Sequence, residues 1–63
     1  MKLIKITDPT DKNSKMIFSV VTGKLSPLGI VHCFSATEWK AFDVAGNFIN
    51  WFESEKQATA ALA

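Results

Sequence analysis

Apolar and polar residues alternate with a period of two at the start of the chain. Across Lys2 to Thr7, Ile4 and Ile6 fall on one side and Lys5 and Thr7 on the other, the pattern of a half-buried strand. The next stretch, Asp8-Pro9-Thr10-Asp11-Lys12-Asn13-Ser14, collects turn formers and reads as an exposed loop. Lys15 to Thr22 carries Met16, Ile17, Phe18, Val20 and Val21, β-favouring residues on both faces, as in a strand inside a sheet. Gly23 to Gly29, bracketed by glycines and holding Pro27, reads as a loop leading into a third strand, Ile30 to Phe34.

Beyond Phe34 two readings compete. Ser35-Ala36-Thr37-Glu38 has the spacing of a helix capping box, which would start a short helix through Trp39 to Val44. Asp43-Val44-Ala45-Gly46-Asn47 fits a three-residue hairpin loop, a type I turn led by aspartate with Gly46 in the left-handed conformation. The hairpin reading sets Phe42 opposite Phe48, Ala41 opposite Ile49, Lys40 opposite Asn50 and Trp39 opposite Trp51. One face then holds Trp39, Ala41, Ile49 and Trp51, all apolar; the other holds Glu38, Lys40, Phe42, Phe48, Asn50 and Phe52. That separation of faces favours strands over helix.

Ser54 and Gln57 form a second capping box, with Glu55 suited to the positive end of a helix dipole. A final helix from about Glu55 to Leu62 follows, with Ala58, Ala61 and Leu62 as a narrow apolar stripe. The elements add up to a single α+β domain over residues 1–63: a small, mostly antiparallel sheet of four to five strands in meander order, with one C-terminal α-helix packed on one face. Trp39, Ala41, Asp43, Gly46, Phe52, Ser54, Ala58 and Leu62 together resemble a hairpin-then-helix module that recurs in small bacterial and phage proteins, a likeness of supersecondary pattern that carries no activity.

Composition narrows the function. The 63 residues include five Phe and two Trp, more ring area than a chain this short readily buries alone. The seven basic residues are all lysines, scattered among six acidic ones, so no bulk field and no bidentate guanidinium draws the chain to duplex DNA. The lone Cys33 and the start Met1 to Thr7, which lacks an apolar signal core, point to the cytoplasm, with no membrane span.

Chemistry-bearing sets are sparse. His32 and Cys33 are a tempting base and nucleophile, but neighbours on a strand point to opposite faces. One His and one Cys fall short of a zinc site, and Asp8, Asp11 and Asn13 lack the spacing of a calcium loop. No catalytic set, metal site or cofactor is expected. The reading that remains is a non-enzymatic protein-interaction module, of the kind that regulates or inhibits a host protein on behalf of a phage or mobile element, acting as a homodimer. Phe42, Phe48 and Phe52 would be its anchors, with Lys40 and Glu38 setting orientation. The rival is a single-stranded nucleic-acid binder that stacks bases on the same phenylalanines.

Overall fold

In the computed structural model, which describes residues 2–63, five antiparallel strands lie side by side in chain order and are followed by one helix. They are β1 (Lys2–Asp8), β2 (Asp11–Val21), β3 (Lys24–Ser35), β4 (Glu38–Phe42) and β5 (Phe48–Phe52), then α1 (Glu55–Leu62). The meander and the C-terminal helix are as the sequence predicts, and residues 38–42 are strand, not helix.

The helix is fixed by local chemistry. Ser54 stands in extended conformation and its Oγ accepts the Gln57 N–H at 3.2 Å. Gln57 Oε1 in turn accepts the N–H of Glu53, one residue before the cap, at 3.1 Å. Eight residues do not hold a helix in water without tertiary support, and α1 rests on β3, β4 and β5. Its buried side chains are Ala58, Thr59 and Leu62, while Ala61 is exposed. The expected stripe is therefore turned slightly: Leu62 must reach across to β3, which rolls Ala61 outward and brings Thr59 in.

Paired residues in an antiparallel sheet share a face, so the register sorts the side chains. Ile17, Val31, Ala41 and, over them, Ala58 and Leu62 form the core, with Leu28, Trp39 and Phe52 packed against it. Small residues permit the contact, since Ala41 and Ala58 are both fully buried. Gly29 is the tightest point: its φ is +151°, and a β-carbon there would stand 2.2 Å from the Phe42 carbonyl and 2.9 Å from a Leu62 methyl. An extra residue in β3 at this point, Leu28, is the bulge between Ile17↔Gly29 and Phe18↔Pro27 that lets Leu28 join the core.

Two expected loops are mostly strand. Residues 24–29 belong to β3, which turns back from β2 through Thr22 and Gly23, with φ of 51° and 78°. Positive φ at both positions is the tight two-residue hairpin geometry, concealed in the sequence because a β-branched Thr rarely adopts it. Pro27 is tolerated because β4 pairs β3 only from Ile30 onward, leaving the other side of β3 free at Pro27. Likewise β2 begins at Asp11, and the β1–β2 turn shrinks to Pro9 and Thr10. Asp8 closes it by accepting the N–H and hydroxyl of Thr10 at 2.8 and 2.7 Å, bonds that hold its carboxyl below the ordinary range.

The Asp43–Asn47 loop forms as read. The Asp43 N–H donates to the Asn47 carbonyl at 2.9 Å and Asp43 Oδ1 accepts the Asn47 N–H at 2.8 Å, and Gly46 has φ +90°. The register beyond it differs from expectation. Phe42↔Phe48 holds, but Ala41 faces Asn50, Lys40 faces Trp51 and Trp39 faces Phe52. Ile49 is an extra, bulged residue, and a one-residue slip exchanges the faces of everything that follows it.

Two substitutions test this account. Gly29→Ala is expected to lower the unfolding free energy by about 3 kcal/mol through steric overlap and backbone strain, a large part of the roughly 3–9 kcal/mol held by a domain of this size. Thr22→Asn, which suits positive φ, is expected to raise it by about 0.5–1 kcal/mol. Urea denaturation followed by circular dichroism reads both.

Candidate functional site

One helix covers one side of the sheet, and among the described residues no element packs on the other. The register sends Ile4, Ile6, Met16, Phe18, Ile30, His32, Phe34, Lys40, Phe42, Phe48 and Trp51 to that outer side. Most are apolar, so the sheet is apolar on both faces although only one is covered.

Rings concentrate at the β3–β4–β5 end. Phe34, Phe48 and Trp51 leave 63, 50 and 44% of their area open. They meet edge to face: Phe34 with Trp51 at 5.8 Å, Phe48 with Trp51 at 6.2 Å and Phe42 with Phe48 at 5.8 Å. The Lys40 ammonium lies 4.7 Å from the Trp51 ring centre and 5.5 Å from that of Phe34. Each such contact contributes roughly 0.5–1 kcal/mol at an exposed site, enough to hold the lysine along the rings. An aromatic side chain offers roughly 150–250 Å², so the three open rings present roughly 300 Å², the size of patch that marks a contact site.

The five residues singled out by sequence divide. Lys40, Phe42 and Phe48 stand together on the outer side, and alternation along β4 puts exposed Glu38 on the same side. Phe52 does not join them. It lies beneath the helix, paired with Trp39 against the core, because the Ile49 bulge exchanges it with Trp51. Sequence reasoning missed Trp51 and Phe34. The signal for Phe34 was its place two residues after His32 on one strand. For Trp51 it was Asn50, whose side-chain oxygen accepts the Trp51 N–H at 2.8 Å, a local bond that competes with ladder pairing.

A polar cluster borders the rings. Ser14 Oγ donates to Asp11 Oδ2 at 2.9 Å and lies 2.8 Å from His32 Nδ1, which is itself 3.4 Å from the same carboxylate oxygen. The Asn13 N–H and then the Ser14 hydroxyl hold the Asp11 carboxyl below the usual range. The residue types are those of a hydrolytic triad, but the arrangement is not, because serine and carboxylate both address Nδ1 instead of opposite ring nitrogens. Cys33 points to the inner side beside Trp39, its Sγ 3.4 Å from the Ser35 carbonyl, so it does not meet His32.

The covered side has its own charge arrangement. Glu55, in the first turn of α1, receives Lys15 at 2.8 Å and Lys5 at 3.3 Å. The Lys15 hydrogen bond, then Lys5, depresses the Glu55 pKa against the opposing effect of partial burial. These two lysines are thereby turned away from the outer face.

Among the described residues no helix is long and apolar enough to cross a membrane. Comparison with protein families, curated proteins and solved structures finds no match.

A pH dependence follows from Glu55. Its pKa is lowered on folding, so the stabilisation is present above the ordinary value of 4.5 and is lost as pH falls through the lower folded value. Unfolding free energy measured from pH 6 to 3 is expected to decline, with a shallower decline in Glu55→Gln.

Proposed function

We propose that the chain is a non-enzymatic protein-interaction module, acting by surface contact through the outer sheet face. The observation that carries this reading is the uncovered ring cluster of Phe34, Phe48 and Trp51, with Phe42 beside it. Clustered aromatics in a largely uncharged surface are the composition of binding hot spots. Lys40 and Glu38 are polar markers on this apolar field and would set the partner's orientation. The mechanism is steric: a partner seated on the rings is occluded or biased without chemistry. The reading includes a cytoplasmic home, in keeping with the free thiol of Cys33, and a regulatory role of the kind mobile elements carry.

A single-strand nucleic-acid binder would use the same rings as a stacking platform, and the Lys40 ammonium over Phe34 and Trp51 is what favours it. Such a binder also needs a cationic track. Lys5 and Lys15 are tied to Glu55 on the opposite side, which weighs for protein over nucleic acid.

Affinity capture from the source cells tests the reading, with the chain compared against a variant carrying Phe34→Ala, Phe48→Ala and Trp51→Ala. The variant is expected to keep its circular dichroism and lose its partner; undiminished capture shows that the surface is wrong. Phe52→Ala, by contrast, is expected to cost about 2 kcal/mol or more in stability. Trp51 quenching by an oligonucleotide in low salt, reversed steeply as salt rises, would favour the nucleic-acid reading.

A further inference from the structure

We infer that the occupant of the outer face is a second copy of this chain, bound so that Phe34 of each copy enters an apolar groove on the other. This rests on the docking-face reading above and names its partner.

The groove lies on the outer face beside the β3 bulge, lined chiefly by Met16, Phe18, Pro27, Ile30 and Val44, with a volume of about 140 Å³. A dry apolar cavity of about 150 Å³ takes a benzene molecule, so the groove suits one phenyl ring. The most open ring of the outer face is Phe34, 63% exposed. It is four residues along β3 from Ile30, roughly 13 Å at the rise of a strand.

A projecting ring and a ring-sized groove, separated along one strand on one face, are the elements of an isologous contact, in which each copy gives what the other receives. A two-fold axis running between the sheets, across the strands near the level of His32, would bring Phe34 of each copy to the level of Ile30 at the groove of the other.

Area agrees with this occupant. The molecule measures 34 by 23 Å along its two longer axes, an outline whose upper limit of roughly 800 Å² has room for what each partner contributes to an interface of standard size. The side chain nearest the axis with a permanent charge is Lys40. Its ammonium is held over Phe34 and Trp51 of its own copy. The assembly would be a four-layer stack of helix, sheet, sheet and helix, with the apolar outer faces enclosed.

Sedimentation equilibrium of the purified chain tests the inference. The expected mass is twice the 6.9 kDa of one chain. Added salt should leave the dimer intact, because apolar area holds it and salt screens the two like charges. Phe34→Asp on the ring side and Val44→Asp on the groove side, both at exposed positions, are each expected to weaken association at least 100-fold with unchanged circular dichroism. Val21→Asp, at an exposed apolar site near the far hairpin, is expected to leave it unchanged.

A wild-type mass of 6.9 kDa at concentrations up to about 1 mM overturns the inference. So does a dimer that survives both the Phe34 and Val44 substitutions, or one that dissolves equally in Val21→Asp. A monomer that still captures a protein through Phe34, Phe48 and Trp51 overturns self-pairing alone and leaves the docking-face reading standing. A monomer without ring-dependent capture removes both.

Discussion

An eight-residue helix can cover one side of a five-stranded sheet and no more, and this chain places apolar residues on both sides. The covered side is built for close approach. Gly29, Ala41 and Ala58 have little or no side chain, so Leu62 and the β3–β4 backbone come within a distance that a single added carbon at Gly29 would violate. Small residues on the helix side leave the large ones elsewhere. Five of the seven aromatic residues, Phe18, Phe34, Phe42, Phe48 and Trp51, are consequently on the open side, and only Trp39 and Phe52 pack against the core.

The identity of the open rings is decided by one residue. With Ile49 paired, Trp51 would lie with Trp39 and Ala41 under the helix, and Phe52 would be outside beside Phe48. With Ile49 bulged, Phe52 turns in and Trp51 turns out to meet Lys40, Phe34 and Phe48. The exchange matters chemically because the larger ring, with the stronger attraction for a cation, ends on the exposed side. A bulge here changes which rings are exposed while leaving the hairpin loop at Asp43 to Asn47 untouched.

What could be read from the sequence was what local chemistry dictates. The helix start at Glu55 follows from Ser54 and Gln57, and the loop at Asp43 to Asn47 follows from an aspartate that accepts backbone N–H groups and a glycine at positive φ. Strand order followed from short connections. The misread segments are those where tertiary pairing overrides local preference. Thr22 adopts a φ unfavourable to it because the flanking strands pair closely, and Pro27 and Gly29 continue a strand because one side of β3 is free there and the other needs a close approach. The candidate site was half legible for the same reason: Lys40 and Phe42 lie on β4, whose own alternation the bulge leaves intact, and Phe48 precedes the bulge on β5, whereas Trp51 and Phe52 follow it.

In the proposed function the partner meets the face, not an edge. A free sheet edge invites another strand, and proteins blunt such edges by shortness, bulges and charge. Both outer strands of this sheet carry those features. β5 has five residues and is interrupted at Ile49. β1 carries Lys2 and Lys5, the latter held at Glu55. With strand addition discouraged at both edges, the proposed association would fall to side chains, and those left uncovered include the rings and the apolar groove of the outer face.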